Sequence, residues 1–192
     1  MRRLGVFTQL SLDGFFADAR GDMSWAHQHD AEWRAFMAEN ASGGGALVFG
    51  RVTYALMADY WPTAAAYAAN PVVADRMTRM PKVVFSRTLG DATWQNTTVL
   101  AGDPAAEMGR LKAEPGPDMV ILGSGSLVAQ LTAAALVDEY VIAVNPVVLG
   151  TGRSLFQGIS TPVPLTLTRT RGFRNGNVVS WYEPGPAAGG TA

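Results

Sequence analysis

Cysteine is absent from this chain of 192 residues. That absence excludes disulfides, thiol nucleophiles and zinc sites built on thiolates, and it fits an expected cytoplasmic location. Histidine is scarce, with two residues, His27 and His29. Residues two apart do not share a helix face, and no cysteine completes a ligand set, so the pair reads as exposed side chains and not as a metal site. An excess of charge of either sign is also missing. Fifteen Lys+Arg against 16 Asp+Glu leave a formal net charge of −1, which provides no basic footprint for nucleic acid or an anionic membrane. No run approaches the roughly 18 apolar residues of a spanning helix. Met1-Arg2-Arg3-Leu4 leads into a segment broken by Asp13-Gly14 and lacks the apolar core of a signal peptide. A soluble protein is expected.

What is present reads as globular, with 48% hydrophobic and 16% charged residues. The length suits one domain, expected over 1–184, with a frayed tail of small residues over 185–192. Leu4 to Leu12 predicts a strand that Asp13-Gly14 ends as a turn. Trp33, Phe36 and Met37 fall at helical spacing within a helix expected from Asp30 to Asn40, which Ser42-Gly43-Gly44-Gly45 stops. Three short, continuously apolar runs follow: Ala46–Phe49, Lys82–Phe85 and Met119–Leu122. The first precedes a helix expected over Arg51 to Asp59, the third one over Ser126 to Ala135. This alternation predicts strands buried on both faces of a mainly parallel sheet. Glu139 to Val148, Leu165 to Phe173 and Val178 to Tyr182 have no intervening helix and predict antiparallel strands, the last two joined at Asn175-Gly176.

Polar, glycine-rich segments follow each apolar run, at the strand ends where open parallel sheets bind ligands. Gly50-Arg51-Val52-Thr53 opens a helix and leaves backbone N–H groups for an anion. Gly123-Ser124-Gly125-Ser126 repeats the arrangement, and Ser86-Arg87 adds a hydroxyl and a guanidinium suited to a phosphate monoester. Each of these is also ordinary turn chemistry; together they suit a dinucleotide with a pyrophosphate and a third phosphate. The usual dinucleotide fingerprint does not fit, because Val128 stands in the third glycine's place, and none of the five tyrosines has a lysine four residues later. A nicotinamide cofactor here requires a different fold.

Six segments then occur in order: Ser11-Leu12-Asp13-Gly14, Gly50-Arg51-Val52-Thr53-Tyr54, Phe85-Ser86-Arg87, Gly123-Ser124-Gly125-Ser126-Leu127, Leu136-Val137-Asp138-Glu139 and Pro146-Val147-Val148-Leu149-Gly150. From about Leu4 to Tyr182 the chain resembles the reductase domain of bacterial riboflavin biosynthesis and its stand-alone dihydrofolate-reductase-like relatives. The resemblance implies a three-layer α/β fold with a mainly parallel central sheet, antiparallel C-terminal strands and helices on both faces. It implies NADPH as cofactor. Gly50 to Thr53 would hold phosphates and the adenosine side, and Ser86-Arg87 the 2′-phosphate. Gly123 to Leu127 would lie by the pyrophosphate and nicotinamide, with Asp13-Gly14 turning the chain at the cleft. Two positions depart from riboflavin-pathway reductases: Phe15 replaces the usual lysine after the Asp-Gly turn, and Leu122 replaces a glutamate before the glycine pair. Both changes make polar substrate contacts apolar and weigh against that pathway's sugar phosphate.

On the substrate side, Trp25 and Asp30 stand at about the spacing of a tryptophan and an acid in dihydrofolate reductases. The Asp30 carboxyl would address a pterin-like ring and help deliver a proton, or cap the helix that follows, or do both. Asp13, Phe15, Trp25 and Tyr60 are the candidate substrate contacts; Tyr60-Trp61 also suits a core. The expected activity is NADPH-dependent reduction of a small pterin-, pyrimidine- or other heterocycle-like molecule. A nucleotide-binding protein without turnover and a riboflavin-pathway reductase proper are the alternatives. A homodimer through the C-terminal strands is expected, on the reading that Leu165 and Leu167 share a mixed face with Arg169 and Arg171; a helix of the same chain would cover that face equally well.

Overall fold

In the computed structural model, which describes residues 1–26, 30–42 and 45–186, the three apolar runs are strands packed on both sides. His27 and His29 lie outside the described residues, and so does the reading of them as exposed. The strands are β1 (Leu4–Ser11), β2 (Phe15–Ala17), β3 (Ala46–Gly50), β4 (Lys82–Phe85), β5 (Thr97–Leu100), β6 (Met119–Leu122), β7 (Glu139–Asn145), β8 (Arg153–Ser154), β9 (Leu165–Gly172) and β10 (Val178–Pro184). The helices are α1 (Ala31–Ser42), α2 (Arg51–Tyr60), α3 (Ala64–Ala69), α4 (Pro71–Arg79), α5 (Pro104–Ala113) and α6 (Gly125–Ala133). An eight-stranded sheet runs β5-β4-β3-β6-β1-β7-β10-β9. Its first six strands are parallel, and β10 runs antiparallel to both β7 and β9. A separate ribbon pairs β2 with β8.

Alternate residues of β3 show the layering. Leu47 and Phe49 pack with Tyr54, Val73 and Met77 of α2 and α4, whereas Ala46 and Val48 pack with Met108 of α5 and Leu127, Val128 and Leu131 of α6. Trp33 and Phe36 of α1 join the first side, over Phe7, Val141 and Val179. With helices on both faces, a central strand needs apolar residues at every position, which is why these runs do not alternate. Strands β2, β5 and β8 have no counterpart in the sequence expectations, nor do α3, α4 and α5. The caps of α4 and α5 are nonetheless conventional: Asn70 and Asp103 accept from the N–H groups of Val73 and Ala106, each just before a proline. Among the described residues, no helix is long and apolar enough to cross a membrane.

Asp138, from one of the quoted motifs, joins three elements. Its carboxylate accepts from the Leu4 N–H at 2.7 Å and from Lys112 Nζ of α5 at 2.5 Å, beside the start of β7. The C-terminal hairpin turns at Asn175-Gly176 as expected, and one expectation about it changes. Phe173 and Asn177 bracket the turn, Gly176 alone has positive φ (+87°), and its N–H donates to the Phe173 carbonyl. The connection is a three-residue loop, Arg174 to Gly176, with glycine in the left-handed position. More consequential, β9 carries an extra residue between Arg169, opposite Trp181, and Leu167, opposite Tyr182. Such a bulge reverses the side-chain alternation. Arg169 and Arg171 therefore share the α1 face, with Arg171 paired to Glu32 at 3.0 Å, while Leu165 and Leu167 emerge on the opposite face. The expected mixed face does not exist.

Lys82 is 1% exposed. Its ammonium donates to the carbonyls of Thr78, Met80 and Gln95 and lies 4.2 Å from the centre of the Trp94 ring. Burial pulls its pKa down to about 8 from 10.5. Below pH 8 both folded and unfolded states hold this proton; above it the unfolded chain retains a proton that the folded one releases, so stability rises with pH. Burial raises the Tyr140 pKa above 10.0 and reverses the trend at higher pH. Chemical denaturation from pH 8 to 10 should therefore show a gain on the order of 2 kcal/mol, which Lys82→Met should flatten.

Candidate functional site

A cavity of about 670 Å³ opens beyond the carboxyl ends of β3, β4 and β6. Three helices begin at its wall, α2, α5 and α6, and of these α2 and α6 lack side-chain caps. At α2 the preceding Gly50 has no side chain to offer, and at α6 the Ser124 side chain makes no capping bond. By contrast α1, α3, α4 and α5 are capped by Asp30, Thr63, Asn70 and Asp103. The Ser124 hydroxyl instead accepts from the Gly50 N–H at 3.0 Å, tying the end of β3 to the turn after β6. The Gly50 N–H is thus already used; it is the following N–H groups, at the start of α2, that remain for a ligand. The turn needs Gly123 and Ser124 at positive φ (+58° and +59°). A Cβ on Gly123 would lie 3.4 Å from Thr53, so the two helix starts are in contact.

Arg51, Val52, Thr53, Ser86, Arg87, Gly125, Ser126 and Leu127 line the cavity with Gly50 and Ser124. Gly123 is not among the lining residues. Ser86 is less free than the sequence implies: its oxygen accepts from the N–H groups of Thr88 and Leu89, which leaves the hydroxyl proton to donate. Arg51, Arg87 and Arg153 all reach the lining, and among the described residues no aspartate or glutamate does. An acid-free cavity with three guanidiniums and two uncapped helix starts favours an oligoanion. Among the described residues no cluster of metal-ligating side chains occurs.

The expected substrate residues are not in this wall. Asp30 caps α1 through the Trp33 N–H at 2.9 Å, the second of its two expected roles. Trp25 donates its indole N–H to the Asp22 carbonyl at 3.2 Å, and Tyr60 stacks edge-on with Trp61 at the end of α2. Phe15 lies against Gly152, where any Cβ would overlap the Ala17 carbonyl. Asp13 is a strut: its carboxylate accepts from the N–H groups of Leu149 and Gly150 at 3.2 and 2.7 Å. The Ser11 hydroxyl first, then the Gly150 and Leu149 N–H groups, hold that carboxyl below the usual range, so Asp13 is a poor proton donor.

The far wall comes from the β2–β8 ribbon and was missed in sequence. It supplies Phe16, Arg153 and Ser154, with Gln157 beyond. Phe16 is the outward neighbour of Phe15; its ring would meet a Cβ on Gly125 at 2.5 Å, so that glycine is needed for contact. The one signal for Arg153 was its place shortly after the Gly150 motif.

An open parallel sheet with covered faces, antiparallel strands at one edge and a polar crevice at its strand ends has the dihydrofolate-reductase-like fold. More narrowly, the chain belongs to the RibD C-terminal domain family, whose model matches residues 2–179. It is 28% identical over 184 residues to the uncharacterized protein YyaP of Bacillus subtilis (strain 168), covering 95% of each chain. YwjB of the same organism, also uncharacterized, is 26% identical over 174 residues, 90% of this chain and 92% of that one. The fold matches a putative riboflavin biosynthesis protein from Shewanella sp. PV-4 (TM-score 0.73, 21% identity, 95% and 99% covered). It also matches a diaminohydroxyphosphoribosylaminopyrimidine deaminase/5-amino-6-(5-phosphoribosylamino)uracil reductase from Thermotoga maritima (TM-score 0.68, 15% identity). That match covers 96% of this chain and 57% of the bifunctional one.

The Ser124 bond has a measurable consequence. Ser124→Ala leaves the Gly50 N–H without its partner and should lower stability by about 1–3 kcal/mol in denaturant titration. Ser124→Gly loses the same bond but relieves a left-handed backbone, so it should cost less.

Proposed function

We propose that this protein is a cytoplasmic, NADPH-dependent reductase of a small heterocyclic molecule, pterin- or pyrimidine-like. The observation that carries this reading is the pair of uncapped helix starts facing one acid-free cavity with Ser86 and Arg87 at its side. Membership of the RibD C-terminal domain family supports it, as does the reductase named in the Thermotoga maritima protein.

The residues present fit the cofactor. The first N–H groups of α2 and α6 would hold the pyrophosphate, and Arg87 with the Ser86 hydroxyl proton the 2′-phosphate. Reduced nicotinamide supplies hydride, which is why little side-chain machinery is required. Phe16, closed against Gly125, would exclude water from the reacting end and give a flat ring an apolar surface.

Arg87→Ala should weaken NADPH binding by about 1.5–3 kcal/mol, roughly 10- to 150-fold, and NADH binding little. Calorimetric titration of both cofactors checks this; equal losses would reject the 2′-phosphate assignment.

We also propose a homodimer through β9 and β10. Leu165, Leu167 and Val178 are 38%, 52% and 43% exposed on one face with Thr170, Ser180 and Tyr182. These six residues carry no charge. A two-fold contact sets a patch against its own copy, so a charged one would repel itself. The opposite face carries Arg169 and Arg171 and meets α1 through Arg171, which pairs with Glu32 and lies by Phe36. Light scattering at micromolar concentration should give about twice 20.4 kDa, reduced to one mass by Leu167→Asp; a wild-type monomer would refute the assembly.

A further inference from the structure

The three arginines of the cavity are not equivalent. Arg87 follows β4, whereas Arg153 stands on β8, paired with the ribbon strand that continues β1. In the order β4-β3-β6-β1, three inter-strand steps separate those ends, about 14 Å at ordinary strand spacing. The starts of α2 and α6 lie between. A dinucleotide with its 2′-phosphate at Arg87 and its pyrophosphate at the helix starts has no phosphate left for Arg153, which is at the opposite, reacting end.

Arg153 is also exposed. Its guanidinium lies over Gly21, where a Cβ would come within 3.2–3.3 Å of three of its atoms. Gly21 has φ +90° in a loop closed by the Asp18 carboxylate, which accepts from the N–H groups of Arg20 and Asp22. Among the described residues Arg153 takes part in no ion pair. An exposed guanidinium without an ion pair among the described residues, beside Ser154 and Gln157 at the end of the cavity, is suited to a bidentate anion.

We propose that Arg153 determines substrate specificity by binding an anionic group, a carboxylate or a phosphate, on the molecule that is reduced. The inference rests on the cofactor reading above. Its test uses protein saturated with NADP⁺ in phosphate-free buffer, so that the cofactor's own phosphate sites are filled. 4-Aminobenzoate and ribose 5-phosphate are then titrated calorimetrically as carboxylate and phosphate probes. At least one should bind wild type, and Arg153→Ala should weaken it about tenfold or more while NADP⁺ affinity stays within about twofold. Gly21→Ala, which displaces the guanidinium by a few tenths of an ångström without removing its charge, should weaken the same probe less than Arg153→Ala does. Preference for one probe identifies the group. If neither probe binds, or if Arg153→Ala leaves binding unchanged, the proposal is overturned. It is equally overturned if Arg153→Ala weakens NADP⁺ as much as the probe, because Arg153 then belongs to the cofactor. Failure of wild type to bind NADP⁺ at all overturns the cofactor reading instead.

Discussion

The hydrogen bond from the Gly50 N–H to the Ser124 hydroxyl is the constraint around which the rest of the crevice is arranged. It spans two adjacent strand ends, and it takes the hydroxyl away from the helix that Ser124 introduces. A serine at that position normally caps its own helix. Here α6 begins uncapped, α2 begins after a glycine, and both present free N–H groups to the same space. Two successive residues in the left-handed region, Gly123 and Ser124, are required for the turn. The stability cost of that backbone and of the open helix ends is offset elsewhere, in strands buried on both faces and in the Asp138 junction.

The opposite wall has a different origin. The β2–β8 ribbon is only a few residues long and is braced at both ends: Asp13 holds the loop at Leu149 and Gly150, and Gly152 permits backbone contact with Ala17. Phe16 then closes against Gly125 and joins the ribbon to α6. One wall thus presents backbone donors with Arg51 and Arg87, the other an aromatic ring and an additional guanidinium. The division matches a cofactor on one side and its reaction partner on the other.

The sheet itself is divided in the same way. Its parallel half ends in the crevice, whereas the antiparallel half ends in an exposed edge strand, β9. The bulge in β9 sorts that strand's side chains, sending arginines toward the aromatic cluster of α1 and leucines toward solvent.

Much of this was legible in the sequence. Lys82–Phe85 and Met119–Leu122 were read with the boundaries the structure has, because burial on both faces leaves an uninterrupted apolar run. The strand ends that line the cavity were legible for a related reason: a strand end followed by glycine and a helix is a local pattern, complete within a few residues. Strands β2 and β8 were not, since two or three residues make a strand only when a partner far along the chain arrives. Arg153 became a cavity residue by that same pairing. Asp13 and Asp30 kept their local chemistry, a turn and a cap, and their distance from the cavity wall was invisible from spacing. The faces of Leu167 and Arg169 were misassigned because one extra residue in a strand inverts all that follows, and register is set by the neighbouring strand. Sequence by itself determined the elements whose apolar pattern and turn residues are contiguous. Tertiary structure alone decided which distant walls meet, because the hydrogen bonds that set register join residues the chain keeps far apart.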